Sequence, residues 1–384
     1  MKAVVLHRHG GVDALRYQDF PEPLCSKDEV LVKVHACSVN RLDVWVRKGL
    51  AGREVRFPHI LGCDISGYLE SDVDHPNLKM KKGSKVVVYP MIHCGSCRFC
   101  RIGKENRCTS NDASIIGGFS SWHGGYAEYL KVPVRNIIPL ESYLSMDEAA
   151  SINIAYLTAY SMIKYAMRLR RDINGYDDVT IATATATANA TANVVDDLAN
   201  INTANDNPSL LVYGAGSGIG VASVQFAKAM GYKVIATVGS QDKLEKAYSL
   251  GCDLVIDRSK QDIAREVMRF TMGDGVDLVI DHVGIWDTSI KCLKKGSGIM
   301  AVCGATASEH TNVEVRPFYN RLALIFGAYL GSKKELVEML RFMQEHNIRP
   351  VIDSAFALED AALAHTKMET NNHFGKMVIK VASI

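Results

Sequence analysis

The stretch from Ser209 to Asp257 leaves this chain little choice of architecture. An apolar run, LLVY, leads into Gly214-Ala215-Gly216-Ser217-Gly218-Ile219-Gly220; an amphipathic segment, VASVQFAKAMG, follows, and then a second apolar run, KVIATV. The alternation continues through DKLEKAYSLG, LVID, VDLVID, GIMAVCG and ALIFGAYLG. Apolar strands separated by amphipathic helices pair in parallel, because each helix carries the chain back along the sheet, and right-handed crossovers place helices on both faces. The expectation is an α/β fold with a doubly wound parallel sheet.

Glycines in the loop let the backbone approach a pyrophosphate, whose charge is held by free amides and the positive end of the following helix. The strict G-x-G-x-x-G spacing fails, since Ile219 stands where the third glycine would be. Strand, loop, helix and strand in the right order carry the reading instead. Gly214, Gly216, Ser217, Gly218, Ile219 and Gly220 are therefore candidate cofactor contacts. An acid at the end of the second strand would bind a ribose 2′-hydroxyl and repel a 2′-phosphate. Here that strand ends VIATVGSQDK, with Val238 in place of the acid and Ser240 and Lys243 beyond it. This favours NADP(H); Asp242 keeps NAD(H) open as the alternative. Val283 and Gly284, after VDLVID, should also face the cofactor, because ligands sit at the carboxyl ends of parallel strands.

At 384 residues the chain has room for two domains. Forty-four basic against 42 acidic residues leave a net charge of +2, too small a field to gather nucleic acid or an anionic membrane. The start MKAVVLHRHGG lacks the apolar stretch of a signal peptide, and no apolar run reaches the roughly 18 residues of a spanning helix. A cytoplasmic protein is expected. The first third alternates short β-rich runs (KAVVL, EVLVKVHACSV, DISGYLE, SKVVVYP, YAEYLKV) with turn residues, which predicts a compact β domain. Behind Ser145, a candidate cap, DEAASINIAYLTAYSMIKYAMRL reads as helix. The Ala/Thr/Asn-rich segment at 180–207 holds few large apolar residues and reads as an exposed low-complexity insertion, or an added edge strand.

Four of the ten cysteines crowd together as Cys94, Cys97, Cys100 and Cys108, a C-x-x-C-x-x-C-x₇-C run. Four thiolates so spaced can close round one tetrahedral Zn²⁺ and leave no position for water, so the site is expected to be structural. An iron–sulfur cluster is the competing reading.

Taken together, the β domain, GGYAEY at Gly124–Tyr129, the cysteine lobe, the glycine loop and FGKMVIKV near the end resemble the medium-chain dehydrogenase/reductase superfamily over nearly the whole chain. The resemblance implies a GroES-like catalytic domain over 1–154 and 328–384, with a structural-zinc lobe, and a Rossmann nucleotide-binding domain over 155–327. It places the active site in the cleft between them and implies a homodimer or homotetramer, with ALIFGAYLG pairing across a two-fold axis.

In the alcohol dehydrogenase branch a catalytic zinc is held by a Cys, a His and a third Cys or acid. Here Asn40 stands at the first position, Cys63-Asp64 replace His-Glu, and Ile154 stands at the third. Leu42 and Trp45 occupy that branch's proton-relay positions. The stretch VNRLDVWVRKG is instead similar to the quinone-reductase branch. Without a metal, hydride transfer needs an acceptor already electron-poor at carbon, a quinone or an α,β-unsaturated carbonyl, with donors for the oxygen that gains charge. The resemblance assigns Asn40 as donor, Asp43 as proton handler or orienter, and Trp45 and Tyr156 as apolar walls. It assigns Arg41 and Thr158 to the cofactor. The expected function is NADPH-dependent reduction of a quinone or enone without catalytic zinc. The alternatives are a zinc-dependent alcohol dehydrogenase with substituted ligands, Cys63 and Asp64 among them, and a non-catalytic NADP(H)-binding redox sensor.

Overall fold

A computed structural model describes residues 1–76, 78–141, 143–173 and 207–381. The insertion read at 180–207 lies outside the described residues, apart from Asn207. Two compact units are present: Met1–Ser161 with Ala215–Ala222 and Tyr329–Ile384, and Met162–Gly214 with Ser223–Ala328.

The first unit is built on strand Glu29–Val39, the longest among the described residues. Its first half pairs with Tyr129–Pro133 and its second half with Lys376–Lys380, both antiparallel. Asp64–Leu69 runs along its other side, followed outward by Lys85–Val88 and Ile137–Pro139; Ile352–Ala357 lies beyond Lys376–Lys380. In EVLVKVHACSV burial alternates over the first half and then becomes continuous. Alternation needs one wet face; at Ala36 that face is covered by Ala150, with Val378 of the neighbouring strand beside it.

Ser145 caps as expected, its Oγ accepting the Glu148 N–H while Glu148 returns the bond to the Ser145 N–H. The single long helix expected behind it is two helices, Met146–Ala149 and Ala155–Ile173. The reason is a long-range contact: the Ile154 N–H donates to the Asp64 carboxylate at 2.7 Å and is lost to the helix ladder.

The second unit holds the predicted parallel sheet, in the order Leu254–Asp257, Lys233–Val238, Ser209–Val212, Leu278–Asp281, Ile299–Val302, Leu324–Gly327. The first of these strands in the chain lies at the centre, and the direction of winding reverses between Ser209–Val212 and Leu278–Asp281. That reversal opens a crevice at the carboxyl ends. Leu211, Ile235, Val279 and Met300 fill the layer against one face. No described helix is long and apolar enough to cross a membrane.

Candidate active site

The strand Glu29–Val39 delivers Asn40 to the N-cap of helix Arg41–Lys48. Asp43 completes a capping box, its Oδ2 accepting the Asn40 N–H at 2.7 Å while its Oδ1 accepts the Gly62 N–H at 3.0 Å. With both oxygens on backbone amides, Asp43 sets the helix entry and the turn at Gly62. Burial pushes its carboxyl up to about 7, against the two amides and Lys376, which pull the other way. Gly62 itself has φ +98°, and a Cβ there would lie 2.6 Å from both Cys37 Sγ and the Tyr126 ring, so only glycine fits. This turn presents Cys63 and Asp64.

Asp64 is wholly buried and fully used. Its Oδ1 accepts from Ile154 N–H; its Oδ2 accepts from Ser38 Oγ, Asn40 Nδ2 and Lys376 Nζ, each at 3.0 Å. Lys376 Nζ also donates to Asn40 Oδ1 at 2.6 Å and to the Val39 carbonyl at 3.3 Å. The Asn40 amide is thereby oriented, oxygen toward the ammonium and nitrogen toward the carboxylate. What remains of its donor capacity meets only long contacts, Cys63 Sγ at 3.6 Å and the Ser38 carbonyl at 3.4 Å. Burial, then the nearby Asp43 and Asp64 charges, push the Cys63 thiol well above the usual thiol range, so it is held neutral.

The structure thus brings Asn40, Asp43, Cys63, Asp64 and the Ile154 amide into one cluster, and adds Lys376. In the sequence Lys376 stands out only as part of FGKMVIKV; its signal is a lysine directly after a glycine at the head of the strand KMVIK. Trp45 is half-buried on the helix that Asn40 caps. Tyr156, assigned as an apolar wall, lies deeper than Trp45. Its side chain has no exposed surface and its hydroxyl accepts the Val351 N–H at 3.0 Å, so it is core packing. Thr158 is buried in the helix begun at Ala155. Arg41 donates to Asn371 Oδ1 at 2.6 Å.

In the glycine loop, Gly214 has φ +59° and donates to Thr237 Oγ1, and Ser217 Oγ accepts the Gly220 N–H. Gly216 accepts the Gly375 N–H at 2.9 Å, and a Cβ on Gly218 would lie 2.9 Å from the Lys376 side chain. The loop and Lys376 are therefore neighbours within the first unit. In the second unit the Val283–Gly284 turn is tied to Asp281, whose Oδ1 accepts both backbone N–H groups. Ser240 follows the strand end, and its hydroxyl bonds the Asp242 carboxylate, holding that acid below its usual range. Arg258 was not foreseen. It follows Asp257, the register partner of Val238, and its guanidinium lies 3.0 Å from where a Cβ on Gly239 would be. The clue was available in the strand order: the third strand ends beside the second, so its first loop residue lies beside the second strand's end.

Cys94, Cys97, Cys100 and Cys108 come together with their sulfurs all within 4.8 Å of one another. Three of the separations are 3.6, 3.9 and 3.9 Å. A tetrahedron of sulfurs bonded to zinc has edges of about 3.8 Å, which these three separations match.

Residues 26–142 match the alcohol dehydrogenase GroES-like domain and residues 218–345 match the zinc-binding dehydrogenase domain. A crystal structure of an NAD-dependent alcohol dehydrogenase superposes with a TM-score of 0.82 at 35% identity, with all of both chains covered. An NAD-dependent alcohol dehydrogenase of Sulfolobus acidocaldarius is 28% identical, over 99% of this chain and 100% of its own. A quinone oxidoreductase of Rattus norvegicus is 25% identical, over 99% of this chain and 97% of its own. Fold, loop and cluster thus define a nicotinamide-linked dehydrogenase or reductase. The chain belongs to the medium-chain dehydrogenase/reductase superfamily and is an NAD(P)-dependent oxidoreductase.

Proposed function

We propose that this enzyme reduces quinones or α,β-unsaturated carbonyl compounds with NADPH and without a catalytic metal. One observation carries the reading: at and beside the positions where the zinc branch has its ligands, the oxygens are already spent on other groups. At the three positions the Asn40 oxygen holds the Lys376 ammonium, the buried Cys63 thiol meets the Asn40 amide at 3.6 Å, and Ile154 contributes only a backbone N–H; Asp64 beside them accepts four hydrogen bonds. Zinc needs free lone pairs on thiolate, imidazole or carboxylate. With that donor set, the electrophile has to be the acceptor itself.

Bound at the glycine loop, NADPH supplies the hydride. Asn40, from its weakly engaged N–H, stabilises the charge that develops on the acceptor oxygen. Steady-state NADPH oxidation with a panel of quinones and enones tests this. Turnover on that panel, with no activity on simple alcohols, is the expected result, and Asn40→Ala should lower kcat by about 100-fold, as removal of an oxyanion donor does. Tight NADPH binding with no turnover on any acceptor would favour the redox sensor instead.

Three features support NADP(H) as the cofactor: no acid at Val238, the small Gly239-Ser240 turn, and Arg258 over it. Asp242 beside Ser240 and the NAD-dependent relatives favour NAD(H). The Cys94 cluster is proposed to hold one structural Zn²⁺. Metal analysis should find a single zinc per chain, and chelation should lower the melting temperature by more than about 5 °C while the site around Asn40 keeps its chemistry. The second unit ends its sheet on Leu324–Gly327, with Val315, Tyr319, Leu322 and Leu324 exposed nearby. An open strand edge rimmed by apolar side chains suits pairing with a second copy of the chain.

A further inference from the structure

We propose that the Lys376 ammonium is the resident cation of the Asn40–Asp64 site: it holds the two side chains in register and keeps divalent metal out. The inference rests on the metal-free reading above and goes beyond it by assigning that property to one residue.

The backbone aims this lysine. Gly375 has φ +107°, and a Cβ there would lie 2.3 Å from the Val351 carbonyl, so the residue before the lysine is confined to glycine. The Gly375 N–H is anchored on Gly216, and the lysine stem lies against Gly218, where any side chain would displace it. The ammonium at its end is 97% shielded from solvent, with a side-chain exposure of 3%. A buried ammonium persists only if its three protons and its charge are all met. Here Asn40 Oδ1, Asp64 Oδ2 and the Val39 carbonyl meet the protons, and Asp64 meets the charge.

A divalent ion bound by the same oxygens would stand within a few ångströms of that ammonium. One carboxylate would then face three positive charges in a site closed to water, where Coulomb repulsion is poorly screened. Removing the ammonium reverses the balance. It leaves a buried carboxylate, the Cys63 sulfur and an amide oxygen, donors that cobalt and zinc accept, with no other cation paired to Asp64 among the described residues. Lys376 is a positioning residue in this scheme. It does not touch the acceptor; it orients the Asn40 amide and polarises it.

The test is cobalt stoichiometry of the full chain after reconstitution and removal of free metal. The wild type and Lys376→Arg should each retain one cobalt per chain, in the cysteine cluster. Lys376→Met, which keeps the stem, should take up a second, with at least tenfold higher affinity for it than the wild type, and Lys376→Met/Cys63→Ser should lose it. In Lys376→Met, kcat should fall by a factor of ten or more while the Kd for NADPH stays within threefold. A folded Lys376→Met chain with only one cobalt overturns the inference and leaves the metal-free reading standing. A second cobalt in the wild type overturns both. Should Lys376→Met not fold, Lys376→Met/Asp64→Asn removes both buried charges together; wild-type kcat in that folded variant likewise rules the inference out.

Discussion

Arg258→Asp is expected to raise the Kd for NADPH by roughly 100-fold and to reverse the preference toward NADH. The guanidinium lies over Gly239, at the end of the strand Lys233–Val238, where a dinucleotide's adenosine ribose is held in sheets of this order. A charge-assisted bond to a phosphate is worth about 1.5–3 kcal/mol, and the substituted carboxylate adds repulsion of the 2′-phosphate while accepting from a 2′-hydroxyl. About 2.7 kcal/mol corresponds to the 100-fold stated. Fluorescence titration of both reduced cofactors against wild type and variant measures it. Equal affinity of the two proteins for NADPH would show that Arg258 does not reach the cofactor. Tighter binding of NADH by the wild type would return the role of ribose partner to Asp242.

The largest loss of stability is expected at Arg47. This arginine has no exposed surface, and its guanidinium donates to the Gly10 carbonyl and Glu369, both at 2.7 Å, and to His365 Nδ1 at 3.3 Å. His365 in turn meets the Tyr126 hydroxyl at 3.3 Å, so the arginine ties the helix carrying Asn40 to the last helix, Ala361–Glu369, and to the core tyrosine. Burial, then the neighbouring Arg47 charge, hold His365 down to about 3, so the ring is a neutral acceptor at Nδ1. Arg47→Ala leaves a cavity, an unmet carbonyl and a histidine without its donor. Removing one member of a buried, hydrogen-bonded ion pair costs about 3–5 kcal/mol. For a unit of this size that lowers the melting temperature by roughly 10 °C. Arg47→Lys should recover only part of it, because a lysine cannot serve three acceptors set in a planar fork. Thermal denaturation followed by circular dichroism decides; a fall of less than about 2 °C for the alanine variant would show that the network relaxes without loss.

Two substitutions in one site show how differently local pattern and tertiary placement speak. Asn40, Ile154 and the cysteine spacing could be read along the chain, because each is a residue type standing where a motif demands another, or a spacing that one ion satisfies. Tyr156 shows the opposite: an aromatic residue near a helix start looks the same along the chain whether it lines a pocket or fills the core, and its burial and its bond to Val351 appear only in the structure. The break of the helix at 150–154 was illegible as well, since its cause is a carboxylate 90 residues earlier in the chain.

The parallel sheet, the glycine-rich loop and the zinc-sized cluster of thiols were determined by the sequence itself, because periodicity, glycine placement and ligand spacing are short-range properties that survive whatever surrounds them. The assembly of Asp64, Asn40 and Lys376 was decided only by the tertiary structure. Lys376 lies 312 residues from Asp64 and 336 from Asn40, and an ammonium becomes the cation of a site only when folding strips it of water and leaves three particular oxygens within reach.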